Sequence, residues 1–308
     1  MRRILIAVAL SALAFNVSSA KALVMIANYG TTQKAVLADA VVVGKVSEIE
    51  KAEVEVLPFV GSKDKVKMRV AVIKIEDGLV GAKNITVIKV LIPGSAADEP
   101  AQPLPQPLPG GGFIARPLPA RMPQITLKEG EEALYFLAKH PTAANYYTIN
   151  MGNNPVAVKD ANFKGELAKV KAVVATLNDP MKALKADKVE DRLSAAATLI
   201  QKYRRGLTVP AKEEAIPAEQ TKAILKTLAD ADWEAANKPQ KPGVVIDHQA
   251  QPMNLVGQLG LYPGSPNGLP GIQVKPGENY NVKYAEAFKA WYATNGDKFE
   301  IKKWVPKN

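Results

Sequence analysis

The hydrophobic period of this chain changes once. From residue 38 to 151 apolar side chains mostly alternate, the period of strands with unlike faces; after Asp160 they recur every three or four residues, as on amphipathic helices. Strands first and helices afterwards predict an α+β chain: a five-stranded OB-like β-barrel followed by an α-helical domain.

The strand signals are specific. Ala40-Val41-Val42-Val43-Gly44-Lys45-Val46 is a β-branched run, and Val66, Met68, Val70 and Val72 alternate with residues of the opposite face. Turn chemistry follows at Asp77-Gly78 and at Gly81-Ala82-Lys83-Asn84. Further strands are predicted over 85–92, 132–138 and 145–151, with an edge at 156–158. Helices are predicted over 163–177, 188–205, 217–236, 253–261 and 282–295. Asn178-Asp179-Pro180 stops the first, and Gly206 follows the cationic Arg204-Arg205 at the end of the second. Val189, Leu193, Ala196, Ile200 and Tyr203 share one face, as do Tyr284, Phe288 and Trp291. Such stripes pack cores.

Residues 1–22 read as a cleaved secretory leader. Arg2 and Arg3 precede an apolar run broken only by Ser11 and Asn16, and Ala20-Lys21-Ala22 supplies the small-x-small pattern of a signal-peptidase site. The expected domains are therefore a signal peptide (1–22), a barrel (23–160) and a helical domain (161–308), with no transmembrane segment after cleavage. The expected location is periplasmic or extracellular. Cysteine is absent from the whole chain, so buried apolar area rather than a disulfide framework must hold an exported chain together. Thiolate metal sites and lipoprotein acylation are excluded as well. The net charge of +10 becomes +7 once the leader's Arg2, Arg3 and Lys21 are removed. Scattered lysines favour weak attraction to anionic envelope polymers over the arginine forks of specific phosphate recognition.

Residues 93–123 interrupt the strands with Pro103-Leu104-Pro105-Gln106-Pro107-Leu108-Pro109 and Gly110-Gly111-Gly112. Proline removes ladder donors and glycine raises the entropy of ordering, so no packed element is expected. Two readings stand: a plain surface excursion, or a polyproline II docking strand. In the second, Pro103, Leu104, Pro105, Pro107, Leu108 and Pro109 are the partner contacts.

Catalytic signals are missing. His140 sits at a strand exit in Lys139-His140-Pro141, where a solvated histidine is expected. Asp247-His248 sets a carboxylate beside an imidazole, but adjacent residues rarely face each other, and no nucleophile elbow or zinc spacing accompanies them. Glu129-Gly130-Glu131-Glu132 reads as a solvated turn entering a strand rather than a calcium loop. No catalytic residue, metal ligand or cofactor is assigned, and a non-enzyme is expected. Nucleic acid is disfavoured because residues 65–92, spanning the second and third barrel strands, contain no Phe, Trp or Tyr on which bases could stack.

Ala38-Asp39-Ala40-Val41-Val42-Val43-Gly44-Lys45-Val46, Leu79-Val80-Gly81 and Gly130-Glu131-Glu132-Ala133-Leu134-Tyr135-Phe136-Leu137 resemble the barrel of the netrin and tissue-inhibitor-of-metalloproteinase superfamily over about residues 23–160. The resemblance implies the fold. The animal inhibitors of that family chelate a protease zinc through an N-terminal cysteine, and neither Leu23 nor Lys21 is one, so that mechanism is not implied. The stretch from Asp191-Arg192-Leu193-Ser194-Ala195-Ala196 to Tyr203-Arg204-Arg205 resembles HEAT-like helical pairs, with Trp291 in a capping role. The functional expectation is an exported, non-catalytic binding or scaffold protein with a protein or anionic-polymer partner. The alternative is a protease inhibitor that acts without cysteine chelation.

Overall fold

The computed structural model describes residues 29–93, 125–149, 152–206, 210–236, 250–265 and 268–307. Helix α1 (Thr31–Leu37) leads into β1 (Ala40–Ile49), followed by β2 (Val54–Val56), β3 (Val66–Val80), β4 (Val87–Pro93), β5 (Glu132–Lys139), β6 (Tyr147–Thr148) and β7 (Val156–Ala157). The pairing order is β1-β3-β4-β6-β5, and β5 returns to β1 to close a five-stranded barrel. All these contacts are antiparallel except β4 with β6, a pairing order of the OB type. β2 prolongs the β1 side of β3, and β7 adds an edge to β5.

Alternation sorts β1 between two cores. Ala40, Val42 and Val46 enter the barrel with Ile73, Ile88, Val90, Tyr135 and Leu137, whereas Val41 and Val43 face outward with Leu134 and Phe136. The outward set is covered by Ala35 and Val36 of α1 and by Val170 and Val173 of α2 (Phe163–Asn178). Burial on both faces explains why β1 and β5 read as almost unbroken apolar runs. Gly44 faces the interior where β3 passes close: a Cβ there would sit 2.6 Å from the Lys74 carbonyl oxygen. The register of β1 on β3 shifts at that point, bending the strand around the barrel.

Downstream come α3 (Pro180–Leu184), α4 (Val189–Arg204), β8 (Ala211–Ala215), α5 (Ala218–Asp230), α6 (Trp233–Ala236), α7 (Pro252–Gln258), α8 (Tyr280–Asn295) and β9 (Lys302–Pro306). α4 buries seven consecutive residues, Ala195 to Gln201, because neighbours surround it; three are alanines, which let those neighbours approach closely. Rings from Trp233, Tyr284, Phe288, Trp291 and Phe299 form a continuous cluster with centroid spacings of 5.2–5.9 Å. Trp233 Nε1–H donates to the Leu228 carbonyl at 2.8 Å, and the Tyr284 hydroxyl to that of Leu261 at 3.0 Å, so their polar tips are satisfied inside the core. Trp291 is thus a core residue inside this cluster. Leu177 touches both the helical core and the outer face of the barrel.

Three local expectations change. Asp77-Gly78 forms no turn: β3 runs through it to Val80, and the reversal falls at Gly81 and Asn84, which take φ of +60° and +79°. The helix expected over 217–236 breaks into α5 and α6, where the Asp232 carboxylate accepts the Ala235 N–H at 2.9 Å and starts a new helix. The strand expected over 145–151 is only the two residues of β6 among those described.

Candidate functional site

The loop end of the barrel carries the most unusual surface. β2 and the start of β3 form a hairpin, pairing Val54 with Met68 and Val56 with Val66. Its base is packed: Val56, Val70 and Leu91 are buried, with Met68, Val72, Ala143 and Tyr146 against them. The Thr142 hydroxyl, from the β5–β6 connection, donates to the Leu57 carbonyl at 2.5 Å and ties the two loops together. Beyond that tie, Ser62 N–H donates to the Phe59 carbonyl at 3.2 Å, and Gly61 takes φ of +89°, which glycine adopts without strain. Phe59 and Val60 are left 62% and 73% exposed. No other large apolar residue described is as exposed as Val60. Isolated exposed apolar residues are ordinary; here two stand in succession on a tethered tip. Exposed Lys63 and Lys65 follow in the loop and Lys67 on the ascending strand, with Asp64 between the first two and Glu55 opposite Lys67.

His140 supports this arrangement instead of standing in solvent. It is 8% exposed, its backbone N–H donates to the Tyr146 carbonyl at 2.9 Å, and its ring Nδ1 lies 3.3 Å from the Thr142 hydroxyl. The expectation of a solvated histidine is therefore corrected: the β5–β6 connection folds back over the ring. Burial pulls its pKa below the usual 6.5.

A cleft of about 770 Å³ opens where β5 begins, lined by Thr126, Lys128, Glu129, Glu132, Val158 and Lys159. Its carboxylates are already engaged. Glu129 accepts the Ile49 N–H at 2.9 Å, Glu131 accepts the Lys128 N–H at 3.2 Å, and Glu132 pairs with Lys45 at 2.9 Å. Glu129-Gly130 is the turn entering β5, with Gly130 at φ of +81°. Among the described residues no group of three or more His, Asp or Glu side chains is arranged to hold a metal ion, and no helix is long and apolar enough to cross a membrane.

The proposed partner contacts Pro103, Leu104, Pro105, Pro107, Leu108 and Pro109 lie outside the described residues, as do His248 and residues 1–22. The Phe59–Val60 tip was not singled out from sequence. Its signal was an apolar pair between Pro58 and Gly61 in an otherwise charged stretch. Fold and site together define an OB-like barrel with a helical domain, and an apolar hairpin tip at its loop end. No family model, curated protein or solved structure matches the chain.

Proposed function

We propose that this protein is a non-catalytic binding or scaffold protein working outside the cytoplasmic membrane, and that the 57–65 tip is its contact with a protein partner. The observation that carries the reading is the exposed pair Phe59 and Val60 on a loop braced by Thr142. Bracing lowers the ordering entropy a partner must overcome, and an apolar cleft on that partner gains about 1.5–3 kcal/mol for each large side chain it fully buries. An anionic polymer offers no such cleft, so a protein is the better fit. Export rests on the leader pattern of residues 1–22. Kinship with netrin-like barrels belongs to the same proposal, supported by the β1-β3-β4-β6-β5 order and the motifs quoted above.

A photo-reactive amino acid placed at position 59 tests this in the native envelope, with position 274 as the exposed apolar control. A discrete adduct from 59, absent from 274 and lost when Val60→Ser is added, supports the reading. Equal labelling from both positions overturns it.

Protease inhibition is the second reading, favoured by the same geometry: a braced loop offering one aromatic side chain between Pro58 and Gly61. Tight inhibition of one secreted protease, weakened roughly 100-fold by Phe59→Ala, would replace the scaffold reading with this one.

A further inference from the structure

Among the described residues the small sheet in the helical half has one open edge, and the residues along it complement themselves. β8 pairs antiparallel with β9 over Ala211–Ala215 and Lys302–Pro306. Ile216 N–H donates to the Ile301 carbonyl at 3.0 Å, and Lys307 N–H to that of Pro210 at 2.8 Å. These two bonds set the phase of the ladder. Residues 210, 212, 214 and 216 turn their backbone groups toward β9, so Ala211, Glu213 and Ala215 turn theirs outward. Among the described residues nothing hydrogen-bonds to those outward groups. Lys212, Glu213, Glu214 and Ala215 are all exposed.

The far edge of β9 is protected. The Lys302 carbonyl accepts Arg204 Nη1 at 3.4 Å, Arg204 stacks over Trp304 at 5.4 Å, and Pro306 has no N–H to offer. Only the β8 side has none of these blocks.

We propose that β8 pairs antiparallel with β8 of a second copy of this chain, centred on Glu213, to make a continuous four-stranded sheet. This register uses all three outward residues: Ala211 meets Ala215 of the second copy, Glu213 meets Glu213, and Ala215 meets Ala211. Each outward N–H gains a carbonyl. Lys212 falls opposite Glu214 of the other copy twice over, on the sheet face away from Arg204. The two facing Glu213 carboxylates lie on the Arg204 face, where each is already neutralised by Arg204 at 2.9 Å and Lys302 at 3.9 Å. The flanking alanines put no bulk in the way. The five residues Ala-Lys-Glu-Glu-Ala thus match themselves under a two-fold axis in backbone, charge and size. This inference is independent of the Phe59 tip.

Sedimentation velocity of the full chain over a range of concentrations tests it, with two substitutions that leave the β9 ladder intact. Ala215→Pro removes an outward donor only. Lys212→Glu turns two attractive cross-strand contacts into repulsive ones. A reversible monomer–dimer equilibrium is expected, weakened roughly tenfold or more by each substitution without change in circular dichroism, or in melting temperature at concentrations where the parent is monomeric. Because the chain has no cysteine, Glu213→Cys gives a clean second readout: mild oxidation should yield a disulfide-linked dimer, since paired Cα atoms in such a ladder lie about 5.5 Å apart. A monomer at every concentration overturns the proposal. So does a dimer indifferent to both substitutions, which would place the contact on another face.

Discussion

Arg205 Nη2 lies 3.1 Å from Asp39 Oδ1, joining the end of α4 to the residue just before β1. The other carboxylate oxygen of Asp39 accepts the Lys139 N–H at 2.8 Å, where β5 finishes. One aspartate therefore fastens the helical half to two neighbouring barrel strands. Lys202 lies nearby, its pKa pulled down by burial and then by the Arg205 cation. The Arg205 and Asp39 side chains are 23% and 31% exposed, so the pair is partly shielded from water. Arg205→Ala is expected to cost about 1 kcal/mol, and Asp39→Ala about 1–2 kcal/mol because it also frees the Lys139 N–H. A double-mutant cycle in urea should return a coupling near 1 kcal/mol, and additive single effects would show that the contact is idle.

Gly81 is bound to the same aspartate by sterics. Its φ is +60°, and a Cβ would overlap the Asp39 carbonyl oxygen. Gly81→Ala must therefore shift either the β3 terminus or the residue that holds Arg205. A loss of about 3 kcal/mol or more is expected. Gly130→Ala is the matched control: its φ is +81°, but its Cβ would meet nothing within 4 Å. That change should cost only about 1 kcal/mol. Chemical denaturation of both variants separates backbone strain from collision.

These two residues also show what sequence can and cannot convey. The alternation of β1, the α4 stripe and the single change of period were readable because each is local. Gly81 was readable as a turn glycine, but its collision partner lies 42 positions earlier in the chain. β8 was not readable. Lys, Glu and Ala are poor strand formers, and Ala211–Ala215 extends only because β9 arrives beside it from the C-terminal end. α1 spans just seven residues and carries little period of its own, so its two buried residues become explicable only against β5. The Phe59–Val60 tip fared no better, because exposure of Phe59 depends on how the β5–β6 connection holds Leu57. Tertiary contact decided each of these.

The α4–α5 region contains unmet polar groups. Among the described residues, Gln201 is 5% exposed with neither amide atom partnered, and the Thr221 hydroxyl, on a residue 2% exposed, also lacks an acceptor or donor. Burial without a partner costs about 1–3 kcal/mol. Thr221→Val keeps the shape and removes the orphan hydroxyl, so a stability gain of about 1 kcal/mol is expected. Gln201→Met should move in the same direction. Thermal unfolding measures both, and a loss in either would show that the polar group is satisfied in solution by an ordered water.

His140 gives the fold a pH dependence of definite sign. Its folded pKa lies below the usual 6.5 because burial disfavours the imidazolium. The unfolded chain therefore binds the proton more readily than the folded one. The resulting stability is complete above about pH 6.5 and is lost as pH falls from there through the lower folded pKa. Protonation also brings a charge against Thr142, the residue that braces the Phe59 tip through Leu57. Acidification from pH 7.5 to 5 should thus lower the unfolding free energy and loosen the 57–65 loop together. His140→Gln should flatten the part of the urea-midpoint profile that this histidine contributes between pH 7 and 5. The protection factor of Ser62 N–H, which donates to the Phe59 carbonyl within the tip, should fall over the same interval in the parent and not in the variant. A parent profile unchanged by the substitution would mean that His140 keeps its proton equilibrium on folding, and with it that the tip is held independently of pH.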